Sequence, residues 1–384
     1  MSNNENKNSR IRLIVPEDDA NKTEILPEKR ESSLTVGLCF GLFFLFCLSL
    51  VFTTPLQLWH FTPAYFFESI TSRFTQLYEF ITGRSSTFGP TLYQYLAVVL
   101  AGAALAACGT VFQGGFRNVL AGPSTMGVMA GGSLGLLLYL LFVPAASETW
   151  SSHSFMAMYG QQLVTLLGCF AGVAIVLTVA TVAGRGRLSA SAMIVSGTVL
   201  SACIGNAGQL IQYYLIMNDP SDIRIESIRM LMLGSFARIV SWQQVLMMAA
   251  PILICLAVLM RLRFRLEALS LDDEEAFSMG VNIRRMRNTM VVIGTVLTAV
   301  VVAFCGHIGF LGFMIPLIGR RLIGPQMAKL LPVSILVGAI VLIVIYDIAY
   351  MAGMQDSLNI FTSAIGGFVL LFALMKKGGA SRGA

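Results

Sequence analysis

Long apolar runs alternate with short polar segments along most of the chain, and each run is about as long as one crossing of a lipid bilayer. Backbone groups in lipid must be hydrogen-bonded within the protein, so runs of this length predict helices. We therefore predict an all-α polytopic membrane protein with about ten transmembrane helices. The runs cover residues 34–53, 91–114, 123–143, 160–183, 190–215, 242–261, 286–305, 307–323, 331–351 and 358–375.

Charged residues are few and unevenly placed. The chain is 56% hydrophobic and 12% charged, whereas a soluble domain usually carries about 25% charged residues. Placing the N-terminal segment in the cytoplasm puts most Lys and Arg on that side, which predicts that both termini are cytoplasmic. The net charge of +6 then reflects membrane topology, and we expect no nucleic-acid partner. The exceptions on the outer side are Arg73, Arg84, Arg224, Arg229 and Arg238.

The first residues differ in composition from the rest. Residues 1–33 are polar, densely charged in both signs and without an apolar core of their own. Such a composition predicts a disordered cytoplasmic tail, because it cannot bury enough apolar surface to fold. Residues 34–384 then form the transmembrane domain.

A short motif occurs twice on apolar runs. Cys108-Gly109 with Gly115 recurs as Cys305-Gly306 with Gly312, at the same internal spacing. The copies fall on the second and seventh runs. Halves with an odd number of helices have opposite orientation, so the motif predicts two inverted five-helix halves. Chance similarity between glycine-rich runs is the alternative explanation.

Glycines on the third run follow a helical spacing. Gly127, Gly131 and Gly135 are four residues apart, which predicts a helix face that another helix can approach closely. Tight packing is sufficient to explain the stripe, and lining a pathway is the second interpretation.

The segment 262–287 combines acidic and basic residues between two apolar runs. A cluster of acidic residues precedes Gly280, and a basic cluster follows it. Acidic residues in a first helical turn and a glycine after the last turn predict a short capped helix over 271–279. Held at a membrane surface by a span on each side, this helix is suited to receive force from a soluble partner.

Five motifs in order along residues 90–375 resemble those of ABC importer permeases for iron–siderophores and vitamin B12. The first is the turn between the second and third runs, and the third is the charged segment just described. Together with the topology they are a specific match. They are QGGFRNVLAGP at 113–123 with MGV at 126–128, MLGS at 232–235 with Trp242, the segment 271–287, GFLGFMIP at 309–316 and TSAIGG at 362–367.

The resemblance implies that 262–287 is a coupling loop for a separate ATPase subunit. Arg284 and Arg285 fit either partner carboxylates or lipid headgroups. The implied ATPase-coupling residues are Asp273, Glu274, Glu275, Met279, Gly280, Arg284 and Arg285.

The resemblance also implies partners and a location. We expect a second permease chain in a homo- or heterodimer, an extracytoplasmic substrate-binding protein and the bacterial cytoplasmic (inner) membrane. No GxxxxGK[ST] motif is present, so ATP and Mg are expected on the partner ATPase. We expect no cofactor, metal site or enzymatic activity in this chain. The implied cargo is a ferric siderophore, with vitamin B12 or haem as alternatives.

Departures from the family pattern affect docking of the binding protein. The outer arginines usual in the family align with Thr91 and Gln94. Arg84, Arg224 and Arg229 are the candidate substitutes, since rim charges mainly steer association. A non-identical second permease that supplies the arginines, and a loop that is simply solvated, are the alternatives.

Asp347 is the one carboxylate well inside an apolar run. A carboxylate there is costly unless it faces water or a partner. It is the candidate pathway residue, at the outer mouth of the passage, and a hydrated position at the membrane interface is the alternative. One acid is thin support for an ion-coupled secondary transporter, and no nucleophile and base pattern supports an intramembrane enzyme.

Overall fold

The computed structural model describes residues 28–52, 71–72, 75–76, 78–79, 82–83, 88–142, 155–183, 190–218, 223–268 and 282–380. Over these ranges the chain forms eleven continuous helices and no strand. They are α1 (Glu28–Phe52), α2 (Phe88–Gly115), α3 (Val128–Phe142), α4 (Phe155–Ala183), α5 (Ala190–Asn218), α6 (Ile223–Leu233), α7 (Trp242–Glu267), α8 (Ile283–Cys305), α9 (Leu311–Ile323), α10 (Met327–Met351) and α11 (Leu358–Ala380).

Each of the predicted runs corresponds to one helix, which confirms the all-α polytopic class. Seven helices in the described part of the chain are long and apolar enough to cross a membrane. Of the ten helices that match predicted runs, α3, α9 and α11 have shorter apolar stretches, so ten crossings is an approximate count. The additional helix α6 was not predicted, because its 11 residues mix Arg224, Glu226 and Arg229 with apolar residues.

Several helices extend beyond their predicted ends, and α1 and α7 extend furthest, by six residues each. α1 begins at Glu28, so residues 28–33 are helical, where the sequence predicted a disordered tail. α7 continues past residue 261 to Glu267. Residues 1–27 of the predicted tail lie outside the described residues.

α2 lies at the centre of the bundle, and every residue from Ala101 to Gly115 is buried. A Cβ added at Gly102 would lie 2.5 Å from the carbonyl oxygen of Gly338 on α10. A Cβ at Gly109 would lie 1.5 Å from the carbonyl oxygen of Gly312 on α9. Glycine at these positions lets three helix backbones come into direct contact.

The glycine stripe on the third run packs as predicted. A Cβ added at Gly131 would lie 2.2 Å from the carbonyl oxygen of Gly168 on α4, and one at Gly135 would lie 2.5 Å from that of Val164. The stripe is met by Gly168 and Gly172 of α4, so glycine faces glycine across the contact. Tight helix packing therefore accounts for this spacing.

The repeated Cys-Gly motif has two different local structures. Cys108-Gly109 lies within α2, whereas Gly306 follows the last residue of α8 with φ 76°. The second copy therefore ends a helix and the first does not. This motif does not mark structurally equivalent positions, and the prediction of inverted halves rests on helix number and order alone.

Candidate coupling, docking and passage sites

The predicted coupling loop lies between α7 and α8. The Asn282 side-chain oxygen accepts a hydrogen bond from the Arg285 backbone N–H at 2.9 Å and so caps α8. Arg285 is exposed in the first turn of this helix, and Arg284 is helical beside it. The other proposed coupling residues lie outside the described residues, and their role stays a prediction; they are Asp273, Glu274, Glu275, Met279 and Gly280.

The predicted docking arginines do not form one described cluster. Arg84 lies outside the described residues, and Arg224 is placed only as a backbone position at the start of α6. Arg229 donates two hydrogen bonds to Glu226, one turn earlier on α6, at 2.9 and 2.7 Å. Its side chain is 49% exposed, so this ion pair is solvated and contributes little to stability.

Arg238, in the turn between α6 and α7, is held differently from Arg229. Its guanidinium donates to the side-chain oxygen of Gln161 on α4 at 2.7 Å. Burial lowers the pKa of Arg238, although an arginine remains charged at neutral pH. The sequence places Arg238 among the outer charges without distinguishing it, because its partner lies on a distant helix.

Asp347 joins three helices. Its carboxylate accepts a hydrogen bond of 2.5 Å from Ser49 on α1 and another from the Tyr95 hydroxyl on α2. Ser49 and Tyr95 are buried, and Asp347 is half-buried. Hydrogen bonds to a charged acceptor are stronger than neutral ones. The carboxylate is therefore partnered, and whether it also faces a pathway stays a prediction.

Tyr95, one of the two donors to Asp347, belongs to an aromatic cluster. The Tyr346 hydroxyl donates to the Gln94 side-chain oxygen at 3.1 Å. The Tyr346 ring packs edge to face against the rings of Tyr95 and Phe236, with ring centroids 5.2 and 5.7 Å apart. Gln94 thus forms a contact between α2 and α10.

Asn359 at the start of α11 connects three segments. Its side-chain oxygen accepts from the Gly309 backbone N–H at 3.0 Å, and its amide donates to the Met232 carbonyl at 3.2 Å. The Leu358 backbone N–H reaches the Gly234 carbonyl nearby. The end of α6 and the break between α8 and α9 are thereby tied to α11. Sequence reasoning missed Asn359 because all these partners are distant in the chain.

α5 presents a mixed polar and apolar surface. Asn206, Gln209 and Tyr213 are exposed on one face, while Ile204 and Leu215 are buried on the other. This division follows the period of a helix. The helix carries no charged residue from end to end. An amide in contact with lipid is costly, so this face requires water or a polar partner.

A bundle of apolar helices, with a charged sequence segment between α7 and α8, is the architecture expected from the resemblance to ABC importer permeases. The model of the FecCD transport family matches residues 41–376, and the chain belongs to this family. Membership sets aside the secondary transporter and the intramembrane enzyme as alternatives.

Several relatives share the match over most of their length. The chain is 31% identical to the molybdate import system permease protein of Haemophilus influenzae, covering 76% of this chain and 82% of that protein. It is 30% identical to the Fe(3+)-citrate import system permease protein of Bacillus subtilis, covering 77% and 84%. The hemin transport system permease protein of Yersinia pestis is 29% identical, with 74% and 82% covered.

A solved structure has the same fold. A metal-chelate type ABC transporter in an inward-facing conformation superposes with a TM-score of 0.67 at 28% identity. The match covers 89% of this chain and 99% of that one. The helical arrangement described here is therefore that of an integral membrane permease.

Proposed function

We propose that the chain moves a ferric siderophore across the bacterial cytoplasmic membrane, with both termini in the cytoplasm. A separate ATPase supplies the energy, a second permease chain completes the passage, and an extracytoplasmic binding protein delivers the cargo. We place the exposed polar face of α5 toward the second chain and the cargo passage, and this face carries the choice of cargo. Its amides and hydroxyl offer hydrogen-bonding groups without fixed charge, which suits a bulky organic chelate.

The relatives differ in the cargo that their names give. We therefore choose among these cargoes by the chemistry of the exposed face of α5. A free oxyanion such as molybdate is best bound by cationic or strongly donating groups, and α5 has no Lys or Arg. Ferric citrate and hemin, named for two other relatives, are iron chelates. Haem and vitamin B12 remain the second candidates, because both are large ligands that a neutral passage accommodates.

Growth of a deletion strain on defined iron sources tests the cargo. A strain without this gene is supplied with single ferric siderophores, with haem, or with ferric citrate as its iron source, and separately grown under conditions that require vitamin B12. We expect loss of growth on one or more ferric siderophores, restored by the intact gene. Loss of growth only on haem, or only where growth requires imported vitamin B12, would replace the siderophore with that ligand.

The coupling loop is proposed to bind the ATPase. Replacement of Gly280 by Pro fixes φ and removes a backbone donor, so it should uncouple transport while the chain still inserts. Gly280→Ala is the matched control, with the smallest added side chain. Normal transport and normal co-purification of the ATPase with Gly280→Pro would contradict the role.

A further inference from the structure

We infer that Glu267 and Arg287 anchor the two ends of the coupling loop to α10 and α2, so that movement of the loop shifts these two helices together. Glu267 is the last residue of α7, and Arg287 lies in the second turn of α8. The inference deepens the proposed coupling role and rests on it. Glu267 precedes the loop and Arg287 follows it, and the structure describes both residues.

Glu267 completes the N-terminus of α10. The N-cap residue of that helix, Gln326, makes no side-chain cap hydrogen bond. The Glu267 carboxylate instead accepts from the Ala328 backbone N–H at 3.1 Å. The first N–H groups of a helix lack partners within it, and a carboxylate there also complements the helix dipole. Glu267 therefore performs from α7 the capping that α10 does not provide for itself.

Arg287 completes the C-terminus of α2. Two residues after the end of α2 at Gly115, Arg117 has a left-handed conformation, φ 47°. The Asn118 N–H bonds the Gln113 carbonyl and the Arg117 N–H bonds the Gly114 carbonyl, which is the Schellman arrangement. The guanidinium of Arg287 donates from Nε to the carbonyl of Gly115 at 3.1 Å. A cation at this end complements the dipole.

The two anchored helices, α2 and α10, pack directly against each other. α2 and α10 touch backbone to backbone at Gly102 and Gly338. Toward their other end, Tyr95 of α2 donates to Asp347 of α10. A displacement applied at the anchors is therefore carried along both helices, because close-packed interiors transmit strain rather than absorb it. Glu267 and Arg287 are positioning residues in this scheme, with no contact to cargo or nucleotide.

A labelling experiment at the far end of α10 tests the transmission. Ala352 caps the C-terminus of α10 and is exposed, so Ala352→Cys introduces a thiol for a membrane-impermeant maleimide. The permease–ATPase complex in nanodiscs is labelled without nucleotide and again after trapping with ATP and vanadate. The labelling rate is scored as the increase over the chain without Ala352→Cys, and we expect it to differ between the two states.

Variants of Glu267 and Arg287 should reduce the difference in labelling rate between the nucleotide-free and trapped states. Glu267→Leu and Arg287→Met are each expected to reduce it about fivefold, the change in a two-state equilibrium that follows loss of one helix-end hydrogen bond. Glu267→Gln, which keeps an oxygen acceptor, should retain most of it. Arg261→Gln and Asn288→Ala, exposed neighbours of the anchors, are the controls and should leave it unchanged.

The outcomes separate the inference from the proposed function. An unaltered chain that fails to co-purify with the ATPase overturns the proposed coupling role and with it this inference. Co-purification together with a nucleotide-insensitive thiol, or with anchor variants that respond like the parent, overturns the inference alone. If Glu267→Leu does not accumulate in the membrane, Glu267→Asp and Arg287→Lys carry the same test, since each shifts the contact by one methylene or donor position.

Discussion

α2 and α5 are both long apolar helices, yet they occupy opposite environments. Within the apolar span of each helix, 83% of the α2 residues are buried inside the chain, against 17% of the α5 residues. α2 meets its neighbours through glycine, whereas α5 exposes amides and tyrosine. Two helices that are both apolar enough to cross a membrane therefore have different roles: α2 is the core that holds the bundle together, and α5 is proposed to face a second chain and the cargo passage.

The largest expected difference between α2 and α5 comes from a glycine-to-alanine substitution made on each helix. Gly109→Ala in α2 would place a methyl 1.5 Å from the Gly312 carbonyl oxygen, while Gly205 in α5 has nothing within 4 Å of the added Cβ. We expect Gly109→Ala to lower the free energy of unfolding by about 3 kcal/mol, since overpacking forces backbones apart. Thermal unfolding in detergent measures it. Equal effects at both positions would contradict the contrast.

Removal of one hydroxyl from the α2 core tests the carboxylate cluster. Tyr95→Phe deletes the hydrogen bond to Asp347 and should cost about 2 kcal/mol, as expected for a bond to a charged acceptor. The measurement is again thermal unfolding, with Tyr213→Phe on the exposed face of α5 as the control. Asp347→Asn with unchanged expression and unchanged uptake would refute a pathway role for this residue.

Substitutions on the α5 face should alter transport without altering stability. Asn206→Leu and Gln209→Leu remove the polar groups of the exposed face, and we expect ferric siderophore uptake to fall several-fold while the unfolding temperature stays the same. The free-energy change on folding should stay within about 0.5 kcal/mol, as for surface sites. Wild-type uptake in both variants would mean that this face does not contact the cargo.

The smallest effect concerns the outer charges. Reversal of Arg84, Arg224 and Arg229 together should weaken association with the binding protein by a modest factor, and more at low salt where screening is weaker. The exposed pair of Arg229 with Glu226 is worth about 0.5 kcal/mol at most, so the fold is unaffected. Unchanged association at every salt concentration would exclude these arginines. A pull-down showing a single permease species would exclude a heterodimer.

The sequence predicted elements better than it predicted contacts. Apolar run length identified each spanning helix because bilayer thickness dictates that length, and the stripe at Gly127, Gly131 and Gly135 predicted the packing of α3. α6 was missed because a short helix with mixed charge leaves no such signature. The partner of Asp347, Ser49, is 298 residues away, so only folding brings the two together.

Ends of helices were predicted within six residues, but their capping was not. Asn282 follows the usual cap pattern and could be recognised from its residue type. Glu267 and Arg287 cap helices to which they do not belong, at Ala328 and Gly115. No local pattern reports such a contact, because the capping residue and the helix end are set side by side only by the packing of α7, α8 and α10.

Accessibility of α5 to water tests the central claim most directly. Asn206→Cys and Gln209→Cys are labelled with a membrane-impermeant maleimide, with and without a saturating ferric siderophore, and Leu210→Cys on the adjoining apolar edge is the control. The account predicts rapid labelling at Asn206→Cys and Gln209→Cys, slowed by the siderophore, and slow labelling at Leu210→Cys. Equal rates at all three positions, insensitive to the siderophore, would contradict it.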